Sequence, residues 1–397
     1  MVEREVIRRI IIEGQEFVNE ISLTERPFFF EQKGNYVFVG IRQAGKSYLL
    51  YQRIQQLLRE EHNINEIVYI NFDDERLRQM TADDLDLILQ AYHSLFDLRP
   101  LLFFDEIQNI EGWEHFARRL ANQKYNIYIT GSNAKMLSRE IATTLGGRFW
   151  NKDVYPYSFA EYLNARNIIL SKNWMYGKQA AEVSKAFNDY FLYGGFPELT
   201  DVIAKRVWLN DIYSKIFFSD LIVRNKVRNE EALGLLVRRL AENVKQPISY
   251  TRLANLISSI GIKISKATVI EFIRYLKESC LIFPIENYAA KFAERNSNMK
   301  HYFIDNGLLS IFLLDGNTSL LENIVAIHLY KRYGAQLYFY NQNIEVDFII
   351  PEAKTAIQVS YSLMDETTCR REVEGLIKLN RVFPMDNMCI ILSLIHI

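Results

Sequence analysis

The chain has 397 residues, 49% hydrophobic and 24% charged, an ordinary composition for a globular protein of two or three domains with sizeable cores. A formal net charge of −1 excludes attraction to nucleic acid as a property of the whole chain and leaves only local patches to provide it. Cys280, Cys369 and Cys389 are far apart without metal-ligand spacing, which predicts free thiols and no zinc site. Met1 to Glu20 is rich in both charge signs and holds no apolar run long enough for a signal peptide or membrane span, so a cytoplasmic protein with no membrane contact is expected.

In chain order, Val6, Ile7, Ile10 and Ile11 share one face at helical spacing, predicting a helix up to about Glu16. Arg26-Pro-Phe-Phe-Phe30 follows as an aromatic turn, read as core, with a stacking surface for a base as the alternative. The stretch from Asn35 to Leu50 organises the rest: an apolar run too short for a helix breaks at Gly40, the loop tightens at Gly45, and a helical pattern starts at Ser47. This is a phosphate cradle made of Gly40, Ile41, Arg42, Gln43, Ala44, Gly45, Lys46, Ser47 and Tyr48. Side chains at Gly40 or Gly45 would block the approach of backbone N–H groups to a polyphosphate. Lys46 is placed to reach the outer phosphates and the Ser47 hydroxyl to ligate Mg2+.

Glu66 to Phe72 reads as a buried strand ending in Asp73-Asp74-Glu75, acids read as a solvated turn, with ordering of water or metal as the alternative. A helical stretch around Leu85 to Leu95 leads to Pro100-Leu-Leu-Phe-Phe-Asp105-Glu106-Ile107-Gln108. A buried strand ending in two acids meets the needs of magnesium-dependent phosphoryl chemistry: Asp105 by the metal, Glu106 facing the γ-phosphate to orient or deprotonate water. Asn126 to Ser132 is the next strand, with Ser132-Asn133 where a γ-phosphate would be sensed. Arg148, at the Leu145-Gly-Gly-Arg148 turn, would stabilise charge on a transferring phosphoryl group, in cis or from a neighbouring subunit, or is a structural arginine paired with an acid. Asp153 to Phe159 is expected to close the sheet, and a helical region begins at Ala160.

These motifs resemble those of bacterial and archaeal AAA-type ATPases that carry a C-terminal domain of unknown function. The resemblance rests on Gly40 to Ser47, Phe104-Asp-Glu-Ile-Gln108, Gly131-Ser-Asn-Ala-Lys135, Leu145 to Arg148, Tyr157-Ser-Phe-Ala-Glu-Tyr-Leu163 and Tyr193-Gly-Gly-Phe-Pro-Glu198. It implies a five-stranded parallel core whose sensor strand lies between the two phosphate-site strands.

Residues 161–230 read as a helical connector, with the Tyr190 to Pro197 turn taken as interdomain packing. From Leu233 onward, Leu236, Leu240, Ala241 and Val244 form one helical face, Ser249 and Ser265 cap two further helices, and Cys280 to Tyr288 reads as a strand pair. Three helices and a β-wing make a winged helix over residues 231–295, in which the third helix enters a major groove. Residues 201–300 hold 17 Lys/Arg against 10 Asp/Glu, and Lys263, Lys266, Arg274 and Lys277 cluster near that third helix. Double-stranded DNA bound through residues 250–290 is one expected partner; protein docking is the alternative.

In residues 296–397, Glu322 on a helix, Asp347 on a strand and the following strand to Ser360 resemble the restriction-endonuclease-like fold. Gln358 and Ser360 stand where that fold has a glutamate and a lysine, so one anionic ligand and the cation beside the nucleophile are missing. A degenerate domain kept for binding or assembly is expected, not a nuclease. Met388 to Ile397 ends the chain as an apolar strand. The combined expectation is an α/β protein: an AAA-type P-loop domain (1–160), the connector, the winged helix and the degenerate domain. It binds ATP with Mg2+ and hydrolyses it through Glu106, Lys46, Asn133 and Arg148, with Ser47 and Asp105 at the metal. A protein partner or homo-oligomer is also expected. The second reading is a nucleotide-gated DNA-binding or adaptor protein with little turnover.

Overall fold

Short β-branched and aromatic runs lack the length for helices, and early in the chain they become strands buried on both faces. A computed structural model describes residues 2–133, 136, 143–291, 295 and 298–393. The chain divides into two compact units, Met1–Tyr155 and Pro156–Ile397. In the first unit, α1 (Arg4–Glu20) precedes β1 (Tyr36–Val39), α2 (Lys46–Arg59), β2 (Ile67–Asn71), α3 (Asp86–His93), β3 (Leu101–Asp105), α4 (Trp113–Asn122), β4 (Ile127–Gly131) and β5 (Trp150–Asp153). The sheet is parallel throughout, in the order β2-β3-β4-β1-β5. The sensor strand β4 thus lies between β1 and β3, so the loop after β1 and the acids ending β3 meet at one sheet edge.

Some boundaries differ from the sequence reading. Helix α1 runs on to Glu20, and its buried Gln15 amide donates to Ile67 O at 2.8 Å, tying the helix to β2. The last strand is Trp150–Asp153 and not 153–159. Pro156 offers no N–H to a ladder, and Ser158 caps α5 (Phe159–Ala165) in a reciprocal box with Glu161. Phe28 and Phe30 pack edge-on against Phe38 and Tyr36, with ring centroids 5.4 and 5.5 Å apart, but Phe29 is 79% exposed, so the core reading does not hold for the whole aromatic turn.

The second unit continues with α6 (Lys178–Tyr193), α7 (Lys205–Lys215), α8 (Glu230–Glu242), β6 (Ile248–Ser249), α9 (Tyr250–Ser258), α10 (Lys266–Glu278), β7 (Ile282–Asn287) and β8 (Asn298–Phe303). Ser249 and Ser265 cap α9 and α10, their hydroxyls accepting from Arg252 N and Thr268 N at 3.2 and 3.0 Å. The strand pair expected within 280–288 is a single strand. Its antiparallel partner is β8, with Ile282 opposite Phe303, so the second strand of the pair comes from residues beyond the expected stretch. Then come α11 (Asn306–Ser310), α12 (Asn317–Tyr333), β9 (Tyr338–Asn341), β10 (Glu345–Ile350), β11 (Thr355–Ser360), α13 (Glu366–Val382) and β12 (Asn387–Leu392).

All seven strands from β6 to β12 form one mixed sheet, ordered β12-β11-β10-β9-β7-β8-β6. It crosses the boundary expected at 295/296, because β7 leaves an edge on which β9 pairs in parallel, Glu286 opposite Tyr338. Asn323 of α12 clamps β8 from both sides of one residue, accepting from Phe303 N at 2.8 Å and donating to Phe303 O at 3.1 Å. The turn at Gly194-Gly195 packs within this unit, with Gly195 N donating to the buried Asp305 carboxylate at 2.7 Å. Of the motifs named above, Ala134 and Lys135 lie outside the described residues, as do Leu394 to Ile397 of the terminal run.

Candidate active site

The loop after β1 is shaped first by its own backbone. Gly45 sits at φ 90°, a left-handed conformation that glycine adopts without a Cβ penalty, and α2 starts at Lys46, one residue before the sequence pattern suggested. Gly40 also has a packing reason to be glycine: a Cβ there would lie 2.0 Å from Val154 O, so it admits the chain leaving β5. Ile41 and Ala44 are buried anchors, Arg42, Gln43 and Ser47 are half-buried, and Tyr48 is exposed. The Arg26 guanidinium braces the loop, donating to Ala44 O at 3.2 Å and Tyr155 O at 3.0 Å. Lys46 is buried; its ammonium donates to Gly40 O and Ile41 O at 3.2 and 3.0 Å and stands 3.7 Å from Glu106 Oε1.

β3 delivers the acids. Asp105 is 1% exposed, and each of its oxygens is engaged: Oδ2 accepts from Tyr69 OH at 2.8 Å and Oδ1 from the Thr130 hydroxyl. Tyr51 OH stands 2.9 Å behind Tyr69 OH, and Ser47 also hydrogen-bonds the carboxylate. Burial pushes the Asp105 carboxyl up, and the charge on Glu106 adds to this, while Thr130, Ser47 and Tyr69 oppose it. A hydroxyl and a carboxylate in contact are hard oxygen donors that fit Mg2+, which takes few protein ligands and keeps phosphate oxygens and waters in its shell.

Glu106 adopts φ 53°, unusual for a residue with a side chain, and its N–H donates to Thr130 Oγ1 at 3.0 Å. This twist turns its side chain from the sheet toward the loop. Burial pushes its carboxyl up, but the Lys46 charge, hydrogen bonds from Gln108 and Ser132, and the Arg42 charge together hold it below the usual carboxylate range. Glu106 is therefore ionised at neutral pH, the state a general base requires. Ser132 is buried at the end of β4 and takes part in this group; Asn133 follows it, half-buried.

Arg148 does not join them in its own chain. Trp150 pairs with Tyr36 at the start of β1, so Arg148 precedes the sheet's N-terminal edge, whereas the loop follows its C-terminal edge. Four strand residues, about 13 Å of backbone, separate the two edges. There Arg148 lines a cavity of about 1320 Å3 with Lys33, Arg53, Arg99 and Lys124. Asp73 and Glu75 are exposed and Asp74 pairs with Arg76 at 2.7 Å, as a solvated turn does.

The second unit holds a cleft of about 740 Å3 lined in part by Glu322, Glu345, Asp347, Gln358, Ser360 and Arg371. Gln358 is a brace, accepting from Asp347 N at 2.9 Å and donating to Glu345 O at 3.1 Å. The cation judged missing from the sequence is present, supplied from another strand. Lys300 on β8, fully buried, places Nζ 3.2 Å from Glu322, 3.2 Å from Asp347 and 3.5 Å from Glu345. Tyr302, next on that face, donates to Glu322 at 2.7 Å. Burial pushes Glu322 up to about 7 against the opposing charge of Lys300. For Lys300, burial favours the neutral amine, but Glu322, Asp347 and Glu345 outweigh it and keep the side chain charged.

Sequence reasoning passed over Lys300, Tyr302, Thr130, Tyr69 and Gln108. Lys300 and Tyr302 did carry a signal: they alternate with Met299 and His301 in a strand, so one face of it holds a lysine and a phenol. Thr130 carried none, since a threonine in a strand is commonplace.

Comparison with known proteins follows this geometry. The family described as AAA domain matches residues 32–163, and one described as a domain of unknown function, DUF8612, matches residues 184–319. An uncharacterized protein of Methanocaldococcus jannaschii, MJ1544, is 32% identical over 98% of this chain and 89% of its own length. An uncharacterized protein of Haemophilus influenzae is 30% identical over 83% of each chain. Among solved structures, the Walker-type ATPase PABY2304 of Pyrococcus abyssi is similar with a TM-score of 0.44, 14% identity, and coverage of 79% of this chain and 96% of that one. The Aeropyrum pernix Orc1 protein in complex with DNA is similar with a TM-score of 0.31, 13% identity, and coverage of 83% and 94%.

Proposed function

This chain belongs to one family with the uncharacterized proteins of Methanocaldococcus jannaschii and Haemophilus influenzae, and its residues 32–163 match the AAA domain; we propose that it hydrolyses ATP at the Lys46–Asp105–Glu106 edge and that the nucleotide state switches what residues 156–393 bind. The observation that carries this reading is one buried lysine and one ionised glutamate 3.7 Å apart across a phosphate-type loop, with a hydroxyl-held aspartate beside them. Lys46 exchanges its two backbone carbonyls for phosphate oxygens, and loop N–H groups bind the remaining charge. Ser47 and Asp105 would hold Mg2+, which would supply neutralisation of the charge that develops on the phosphates. Glu106 takes a proton from the attacking water while Ser132 and Asn133 sense the γ-phosphate. Arg148, at the far edge, serves a neighbouring subunit's nucleotide, which makes full turnover depend on self-association.

For residues 231–295 we propose a winged helix that binds double-stranded DNA through 250–290. Three capped or amphipathic helices, α8, α9 and α10, support this, as do Lys263, Lys266, Arg274 and Lys277, all exposed on or beside α10; the wing would be β7 with β8, a strand beyond residue 295 that also belongs to the larger sheet. We propose that the C-terminal strands and α12 form a restriction-endonuclease-like domain without nuclease activity, because Gln358, a neutral brace for the Asp347 and Glu345 backbone, stands in place of the second anionic metal ligand.

The test is steady-state ATP hydrolysis by wild type and Glu106→Gln, with and without double-stranded DNA, at low and moderate salt. Wild type is expected to turn over, Glu106→Gln to bind ATP with turnover reduced roughly 10²- to 10⁴-fold, and DNA to stimulate the wild type less as salt rises. Equal turnover by both proteins would remove Glu106 from the mechanism. Hydrolysis indifferent to DNA would favour a protein partner for the second unit.

A further inference from the structure

We propose that Gln108 is a positioning residue that holds the attacking water between its own amide oxygen and Glu106, which extends the ATPase reading and depends on it. Gln108 follows the acidic pair, on the short turn Ile107–Asn109. Its Nε2 donates to Glu106 Oε2 and lies 3.4 Å from Ser132 Oγ. That contact fixes which end of the amide is which, because a flipped amide would press its oxygen against a carboxylate. The other end, Oε1, is buried and meets no donor among the described residues.

A buried amide acceptor without a donor is unusual in a folded protein and asks for water or ligand. Its location narrows the choice. Oε1 lies 2.6 Å from where a side chain on Gly131 would begin, so it sits against the end of the sensor strand, beside the loop whose Gly40 N donates to Gly131 O at 3.4 Å. Met136, whose sulfur borders the same point, is a thioether and donates nothing. A side chain on Gly131 would collide with both the Met136 sulfur and Gln108 Oε1, so glycine here is what lets these two groups pack against the strand end.

A water here donates one hydrogen to Glu106 and the other to Gln108 Oε1, which leaves a lone pair free for phosphorus. The water oxygen bonds to the γ-phosphorus as the bond from phosphorus to the β–γ bridging oxygen breaks, and that electron pair leaves with ADP. The proton on the Glu106 side passes to its carboxylate and then to the released phosphate or to solvent; the other remains on the new phosphate oxygen. Gln108 exchanges no proton. Its contributions are the direction of the lone pair and, through Nε2, the rotamer of Glu106.

The experiment compares wild type, Gln108→Ala, Gln108→Glu and Glu106→Gln by three readouts: turnover, affinity for a fluorescent ATP analogue, and trapping of ADP with aluminium fluoride. Gln108→Ala is expected to lose roughly 10²-fold in turnover and to trap ADP–aluminium fluoride poorly, while its ATP-analogue affinity stays within about threefold of wild type. Gln108→Glu keeps the side chain's size but sets a second carboxylate beside Glu106. Without Nε2 to hold the Glu106 rotamer, turnover and trapping should fall while analogue affinity stays within about threefold of wild type, a split that a merely structural role would not produce. Should Gln108→Ala misfold, Gln108→Glu carries the test alone. Wild-type turnover in both Gln108 variants, with Glu106→Gln inactive, overturns this proposal and leaves the ATPase reading standing. So does an affinity loss as large as the turnover loss. A wild type that binds the analogue but never hydrolyses ATP defeats both.

Discussion

Each unit buries a lysine among carboxylates, and the two are held differently. Lys46 donates to two carbonyls of its own loop and keeps a single glutamate at 3.7 Å. Lys300 is fully buried with three carboxylates within 3.5 Å, two of them at 3.2 Å. A cation that must receive a ligand is held by partners it can exchange; one gripped by fixed charges has no free valence to offer. The same residue type is thereby held by exchangeable partners in one unit and by fixed charges in the other, and the sequence alone does not separate them.

This contrast is open to direct attack. Lys300→Met would leave three carboxylates facing one another without a cation, so urea unfolding should report a loss of about 3–5 kcal/mol. A loss under about 1 kcal/mol would mean that Lys300 is not the structural partner described. Next in size is pH. Glu322 is raised from 4.5 to about 7 by burial, so the folded chain holds this proton where the unfolded chain has released it. Its contribution therefore lowers stability as pH climbs through that window, by about 3 kcal/mol if the whole shift is expressed. Glu322→Gln should flatten the decline, and an unchanged pH profile in that variant would assign it to another group.

Lys46→Ala should show the opposite balance to Lys300→Met: nucleotide affinity down roughly 10²-fold, unfolding free energy changed by no more than about 1 kcal/mol. If stability fell as far as it does for Lys300→Met, the distinction between exchangeable and fixed partners would collapse. The smallest effect belongs to Glu345→Gln. Its carboxylate is 41% exposed and the most distant of the three, so solvent screening should keep the cost below about 0.5 kcal/mol in the same unfolding assay.

Much of the nucleotide site was legible because it is local. Gly45, Lys46 and Ser47 form one turn, and Asp105 and Glu106 end one strand, so spacing along the chain stands in for geometry. The caps at Ser249 and Ser265 were readable for the same reason. What escaped was remote in sequence. Thr130 reaches Asp105 across 25 residues, and Lys300 reaches Asp347 across 47, through strand orders that no periodicity specifies. Arg148 shows the converse: its place in the motif order suggested the phosphates, yet the register of β5 against β1 puts it at the other edge.

By itself the sequence determined the chemistry of the phosphate edge, because short-range backbone conformation and the functional groups of consecutive residues suffice to make a cradle and an acidic strand end. Only the tertiary structure decided which buried lysine is committed to structure, which glutamine has an acceptor to offer, and where one sheet ends. These depend on what packs beside each group from distant strands, and burial converts such neighbours into the charge balance and hydrogen bonds that assign a residue its role.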